Sequence, residues 1–588
     1  MRIELDETTR PPGAGGSTGG APDGLVETMR RRADLDPGAL AFTFLAGDHD
    51  AQDLTRGALD REARAVAAML QAHDVQRPLL LHAPGRDYVT ALIGCLYAGT
   101  AAVPAYPPDP ARLERTLPRL LAIVEDAQPG AVLTTAALKP VAEQLLRDAG
   151  PFEIPVLATD EAAASGEADW TPPEHGPERL ALLQYTSGST ALPRGVMITH
   201  GNLLHNCGFI NRAFGASERS RALVWLPPYH DMGLIGGIVQ PLYGGFPGVL
   251  MSPVDFLRRP VRWLRAIGRY GATHSGSPNF AYELCLRRVT DEDRREIDLS
   301  TWEVAFNGAE PISAATMDSF SEAFAGCGFR REAFHPCYGL AEGTLMVTGG
   351  AKLAGPVVNR FDRRALDERG EAVPARDGDA AKTVVGCGRP DRGHTVAVVD
   401  PDTCRPRPPG TVGEIWFAGP GAAAGYWGSP EAAGDTFGFS LPESPGERFV
   451  RTGDLGFELG GELYVTGRAK EVIVVAGRNH SPVDVELACE AAAPELRPHC
   501  GAAFGLIGED GERVGVVYEV AGGEDVDMDD VIRRMRGAVA TAVGIQLQAV
   551  ALIEPKTLPK TSSGKVQRLL CRSLYEEGRL ETVAAWSL

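Results

Sequence analysis

Short apolar runs alternate with segments of helical periodicity through the first two-thirds of the chain, the pattern of a mostly parallel sheet covered by helices on both faces. Pro78 to His82 reads as a strand, Asp87 to Ala98 as a helix and Ala101 to Ala105 as the next strand, and similar units follow at 118–135, 180–214, 222–250 and 302–325. From Thr395 the apolar runs shorten and are split by Pro and Gly, as in TVAVVDPDTCRPRPPGTVGEIWFAG, which predicts a small β-rich layer or barrel. Beyond Gly467 a compact mixture restarts, with strands near 472–475, 502–507, 513–519 and 548–553 and a helix at 529–541. The expected fold is therefore α/β: a large N-terminal body of wound sheets with a small β-rich layer, followed by a small α+β C-terminal unit.

Composition narrows the function classes. A chain of 588 residues with 44% hydrophobic residues can fill several ordinary cores. Its net charge of -19 excludes a general nucleic-acid binder, which needs broad positive surface to displace counterions. Local basic clusters at Arg258 to Arg265 and Arg533 to Arg536 read as solvated helix faces, although an acidic carrier protein would need such a patch to dock. Ten cysteines without a CxxC pair indicate neither a disulfide framework nor a zinc site, and a reducing cytoplasm is expected. The best apolar stretch, Leu234 to Met251, is broken by five glycines and two prolines, so no membrane insertion is expected. Residues 1–24 contain a Gly/Pro/Ser run and are expected to be a disordered tail without a signal-peptide core.

The most informative local feature is YTSGSTALPRG, Tyr185 to Gly195, behind the apolar run Leu180 to Leu183. A strand that empties into Gly, Ser and Thr offers hydroxyls and bare amides that can wrap a polyphosphate. Taken alone, such a loop is as readily a plain turn. It is not a Walker loop, since it has no Gly-Lys pair, and the late pair Gly564-Lys565 has Pro559 and Val566 where Gly and Ser or Thr are required. Two further patterns carry no chemistry: Gly15 to Gly19 matches a nucleophile elbow without a strand or helix around it, and Gly419 and Gly421 lack the third glycine of a dinucleotide fingerprint.

Seven more segments follow in order: WLPPYHDMGLIGG (225–237), NGAEPI (307–312), YGLAEGT (338–344), GEIWFAGPGAAAGYW (413–427), RTGDLG (451–456), GRAKEVIVVAGRNHSPVDVE (467–486) and PKTSSGKVQR (559–568). With these the chain resembles the adenylate-forming superfamily of acyl-CoA synthetases, luciferases and peptide-synthetase adenylation domains from about residue 25 to its C-terminus. The resemblance implies an adenylation domain at 25–469 and a mobile lid at 470–588, hinged at Lys470. It also implies ATP and Mg²⁺ as cofactors. Thr186, Ser187, Gly188, Ser189 and Thr190 would hold the β and γ phosphates. Arg194 would stand nearby in place of the usual Lys, keeping the charge but changing its geometry. Asn307, Gly308, Ala309 and Glu310 would edge the adenine pocket. Tyr338, Gly339 and Leu340 would continue it, with adenine stacked on Tyr338. Glu342 would ligate Mg²⁺, a hard carboxylate on a hard cation. Asp454 would accept both ribose hydroxyls, with Arg468 assisting. Lys565 would neutralise the acid and the bridging phosphate oxygen during adenylation. His230 would orient the acyl carboxylate or gate an acyl tunnel, beside the plainer readings of a core histidine or a helix cap at Asp231. The run Met232 to Val239 would line that tunnel or simply be core.

Within the superfamily the chain is most similar to the fatty acyl-AMP ligases, through VPAYPP at 103–108, YHDMGLIGG and an extra stretch at about 351–386 where those enzymes carry an insertion. The implied reaction joins a fatty acid to ATP, giving acyl-AMP and pyrophosphate, and then passes the acyl group to the phosphopantetheine thiol of an acyl carrier protein. No carrier segment occurs in the sequence, so the acceptor is expected from outside, free-standing or in a synthase. The insertion is expected to restrain the lid and disfavour free CoA. The alternatives are a fatty acyl-CoA synthetase, a non-catalytic homologue that binds acyl chains or carriers, and, more remotely, an amino-acid-activating domain.

Overall fold

The computed structural model describes residues 24–47, 50–108, 113–150, 152–164, 170–173, 176–186, 193–475, 478–508, 511–521, 526–561 and 564–588. Among these, a nine-stranded sheet runs in the order Arg389–Pro390, Met346–Gly349, Phe334–Gly339, Val304–Asn307, His274–Ser277, Ala222–Val224, Gly248–Met251, Leu40–Ala46 and Asp50–Thr55. The strands from Phe334–Gly339 to Leu40–Ala46 are parallel to their neighbours, and antiparallel strands close both edges. A second, fully parallel sheet of four strands contains Val103–Pro104, Pro78–Leu80, Ala131–Thr134 and Val156–Ala158. Helices Arg56–Ala72 and Arg86–Ala98 pack between these layers through wholly buried aliphatic positions such as Val66, Leu70, Leu92 and Leu96.

Aromatic packing stiffens the larger sheet. Trp263, Trp302, Tyr282 and Phe320 are all essentially sealed from solvent, with Trp263 and Trp302 meeting edge to face at 5.3 Å. The Trp302 indole N–H is satisfied by the carbonyls of Val304, at 2.9 Å, and Ser275, at 3.1 Å, so this ring buries without a polar penalty.

The β-rich layer expected after Thr395 is a five-stranded antiparallel sheet of Thr395–Val399, Gly413–Ala418, Ser444–Leu459, Phe439–Leu441 and Glu462–Arg468. The last unit is a four-stranded sheet, Leu496–Gly508, Gly511–Val520, Leu547–Ile553 and Thr582–Ser587, with helices Pro482–Ala492, Met528–Ala542 and Arg568–Glu576. Two local expectations need correction. Only Val103–Pro104 of 101–105 is strand, because the chain there passes from an isolated bridge at Ala102 to Leu182 straight into a Pro-rich segment. The 180–214 unit is not a strand-crossover-strand: Leu180–Thr186 and Arg194–Thr199 pair antiparallel as a separate ribbon before helix His200–Ala213. The 351–386 stretch forms its own hairpin, Val358–Asp362 with Ala381–Val385, around helix Arg363–Arg369.

Candidate active site

Parallel strands deliver their loops to one edge of a sheet, and ligands in such folds bind beyond the carboxyl ends. Asn307 and Gly339 are the last residues of adjacent parallel strands, so NGAE and YGLAE emerge side by side. Gly339 is required there, since a Cβ would run into the Leu345 carbonyl as the chain doubles back into Met346–Gly349. A continuous cleft of 2390 Å³ opens over these strand ends.

Thr186 and Arg194 face each other in register as the last and first residues of the two ribbon strands, and both line the cleft. Ser187, Gly188, Ser189 and Thr190 fall outside the described residues. The ribbon also positions a residue that the sequence reading missed. Met197 N–H donates to the Gly425 carbonyl at 2.9 Å and Trp427 N–H to the Gly195 carbonyl at 2.8 Å, which fixes the intervening Tyr426 over the cleft. The Tyr426 hydroxyl donates to Glu342 Oε1 at 2.6 Å, while the Arg194 guanidinium sits 5.3 Å from the Tyr426 ring centre. Burial raises the Glu342 carboxyl above its ordinary range, partly offset by that hydroxyl. The sequence signal for Tyr426 is the GYW that closes GEIWFAGPGAAAGYW.

The opposite wall comes from the β-rich layer. Asp454 follows Gly453, whose φ of +71° makes the TGD turn, and pairs in register with Arg468. Its carboxylate accepts from the Tyr338 hydroxyl at 2.7 Å and from Arg468 Nε at 3.1 Å. The pair holds the guanidinium charged against partial burial.

His230 and Asp231 contact at 2.6 Å, Nδ1 to Oδ1, and Asp231 also accepts from the Met232 N–H at 2.7 Å. Burial pushes the Asp231 carboxyl up, yet His230 and Lys565 bring it below its ordinary value. Asp231 is thus a helix cap and a charge in the site at once. The Met232–Val239 run winds as a π-helix, a form that often marks functional positions. Its Leu234, Ile235, Ile238 and Val239 are core, while Met232 and Gly236 line the cleft and add to its apolar arm of lining side chains, which includes Val224, Leu226, Phe306 and Met346.

Of the NGAE residues, Gly308, Ala309 and Glu310 line the cleft and Asn307 does not. Asn307 is fully buried behind it, donating to Asn279 Oδ1 at 3.4 Å, so the expectation that its amide reads adenine is corrected. Glu310 accepts the Phe280 N–H at 2.6 Å and is raised by burial.

Lys565 enters from the C-terminal unit. The described residues flanking it are tied into a knot by three bonds: Thr561 N–H to the Lys565 carbonyl, 2.8 Å, Lys565 N–H to the Thr561 hydroxyl, 3.0 Å, and Gln567 N–H to the Pro559 carbonyl, 3.0 Å. Arg568 anchors the knot, donating twice to Glu486 at 2.7 and 2.8 Å and once to Glu471 at 2.8 Å. The Lys565 ammonium is thereby presented to Asp231, Glu310 and Asp454, with Arg468 nearby; burial wins and its pKa falls below the ordinary lysine value. Among the described residues, no group of three or more His, Cys, Asp or Glu could hold a metal by itself, and no helix is long and apolar enough to cross a membrane.

The family model described as AMP-binding enzyme matches residues 29–427. The chain belongs to the AMP-binding enzyme family. It is 43% identical over 566 residues to the medium-chain-fatty-acid acyl-carrier-protein ligase JamA of Moorena producens, covering 95% of this chain and 96% of that one. It is 35% identical over 608 residues to the long-chain-fatty-acid AMP ligase FadD32 of Mycolicibacterium smegmatis, covering 95% of each. Among solved structures, the fatty acyl-adenylate ligase from L. pneumophila in complex with acyl adenylate and pyrophosphate is similar at TM-score 0.72 and 38% identity, covering 96% of this chain and 98% of that one. Within the family the chain stands with the fatty acyl-AMP ligases, and ATP is its nucleotide.

Proposed function

We propose that this enzyme activates a fatty acid with ATP and passes it to an acyl carrier protein. The observation that carries the reading is that one cleft is lined by Lys565, the Asp454–Arg468 pair, Glu342 and the apolar side chains of Val224, Leu226, Met232, Phe306 and Met346. In the first step a carboxylate oxygen of the acid forms a bond to the α-phosphorus of ATP, and the bond to pyrophosphate breaks. Like charges oppose this approach, so positioning and neutralisation dominate catalysis. Lys565 supplies the moving cation, Asp454 accepts the ribose hydroxyls on its remaining lone pairs, Tyr338 offers its ring to adenine, and Gly339 and Leu340 border the same pocket. Thr186 to Thr190 and Arg194 take the phosphates, and His230, held by Asp231, orients the acyl carboxylate. Glu342 fits a magnesium ion: it is a hard donor whose burial disfavours an uncompensated charge, and the triphosphate oxygens would complete the shell. When bound, that ion supplies charge neutralisation on the phosphates.

In the second step a phosphopantetheine thiolate attacks the acyl carbon and AMP leaves. We assign residues 25–469 to the adenylation body and 470–588 to a lid that rotates about Lys470 between the steps. The 351–386 insertion supports its assigned restraining role by contact: Lys382 joins Asp367, at 3.2 Å, to Asp484 of the lid, at 2.8 Å. Ten unpaired cysteines suit a reducing compartment, and we place the enzyme in the cytoplasm. The test is pyrophosphate exchange over an acid panel from acetate to long-chain acids, followed by acyl transfer to holo-carrier or to CoA. Exchange with fatty acids and transfer to the carrier support the reading; exchange with amino acids alone, or efficient acyl-CoA formation, rejects it.

A further inference from the structure

A second titratable side chain of the C-terminal unit meets the body beside the site of Lys565. His499 lies on strand Leu496–Gly508 and contacts Glu283 of helix Asn279–Arg288. Both ends of this contact are built. Glu283 is set by Asn279 Nδ2 at 2.7 Å and the Thr316 hydroxyl at 2.8 Å. His499 has a φ of +55°, a left-handed conformation costly for a residue with a Cβ, and it interrupts the register of its strand with Gly511–Val520. That conformation is clamped from both sides: the His499 N–H donates to Glu490 at 3.0 Å, and the Lys560 ammonium donates to the His499 carbonyl at 2.8 Å. Lys560 is five residues from Lys565 and begins the same knotted loop, through its bridge to Val566. The strained residue is therefore tied at once to the body helix and to the loop that presents the catalytic lysine.

We propose that His499 and Glu283 form an ionic latch that holds the C-terminal unit in the orientation presenting Lys565, making His499 a positioning residue for adenylation and not for acyl transfer. This rests on the ligase reading above.

The latch is titratable. The charged groups facing His499 are Glu283 and Arg287 from the body helix, Glu490 from helix Pro482–Ala492, Glu310 from the adenine loop and Lys560 from its own unit. Burial lowers the His499 pKa, but Glu283 and Glu490 outweigh it and the net shift is upward from 6.5. Glu283 correspondingly falls below its ordinary value despite burial. A histidine raised by its partner stays charged on the acid side and Glu283 stays ionised down to its lowered value, so the latch is complete between the ordinary carboxylate range and pH 6.5 and is lost as pH climbs through the raised histidine value.

The experiment uses the full chain with two variants, His499→Gln and His499→Lys. Fatty-acid-dependent pyrophosphate exchange and single-turnover transfer from acyl-AMP to holo-carrier are each followed across the pH range. In parallel, a fluorophore pair, one on the body and one on the C-terminal unit, reports lid orientation without any turnover. The latch predicts that His499→Gln slows exchange by about tenfold below the raised pKa, changes transfer less than about twofold, and shifts the lid distribution. His499→Lys should keep exchange and abolish its decline with rising pH, which a merely structural histidine would not do. Unchanged exchange, pH profile and lid distribution in both variants would overturn the latch. Absence of fatty-acid exchange in the unaltered enzyme would instead reject the ligase reading, and the lid measurement would still decide the latch.

Discussion

Replacing Lys382 with methionine removes the cation that joins the 351–386 stretch to Asp484 of the C-terminal unit while keeping most of its apolar stem. The side chains of Lys382, Asp367 and Asp484 are 18%, 26% and 21% exposed, so the cluster is partly desolvated and worth more than a surface pair. Burial alone would lower the Lys382 pKa, yet the two carboxylates raise it. Truncating one partner of a buried pair costs about 3–5 kcal/mol, but compensation is at hand. Arg363 stands 3.9 Å from Asp367 and 3.7 Å from Asp484, and Arg478 reaches Glu368 at 3.1 Å across the same junction. A net weakening of about 1.5 kcal/mol is expected, roughly a tenfold shift in the lid equilibrium. The assay is the ratio of acyl-CoA to acyl-carrier formed at matched acceptor concentrations, which should rise by roughly that factor in Lys382→Met. Asp484→Asn should act in the same direction. A folded Lys382→Met enzyme with an unchanged ratio would refute the idea that this junction restrains the lid.

Other expectations follow from the same geometry. Asp454→Asn should raise the KM for ATP by about tenfold and leave the KM for the acid alone, since it weakens charge-assisted bonds to the ribose; equal changes in both would contradict the assignment. Gly236→Leu places carbon in the apolar arm, where even a Cβ meets Leu345 at 3.5 Å, and should shift the acid preference toward shorter chains by about tenfold, read from kcat/KM across the panel. Arg568→Met strands Glu486 and Glu471, whose side chains are 11% and 15% exposed, and should destabilise the C-terminal unit by about 3 kcal/mol in denaturant unfolding; an unchanged midpoint would show that the anchor is dispensable.

Much of this site was legible because its parts are local. A strand that ends in NGAE or YGLAE announces its own position at the carboxyl edge, and the Pro and Gly density after Thr395 announces short antiparallel strands. What the sequence hid depends on distant partners. Leu180 to Tyr185 and Val196 to Ile198 carry the apolar runs of sheet strands, and nothing local says they pair with each other as a ribbon. Asn307 looks like a ligand until its strand buries it against Asn279. Tyr426 acquires a role only because the ribbon carries it to Glu342, and His499 because the packing of the C-terminal unit brings it to Glu283. The π-helical winding of Met232–Val239 has no sequence signature distinct from an apolar helix.

The central claim is that the C-terminal unit carries the lysine that neutralises charge as the adenylate forms. Fatty-acid-dependent pyrophosphate exchange by Lys565→Ala, beside transfer from preformed acyl-AMP, tests it most directly. The account predicts that exchange drops by about a hundredfold or more while transfer stays near that of the unaltered enzyme. Exchange at full rate in Lys565→Ala would contradict it.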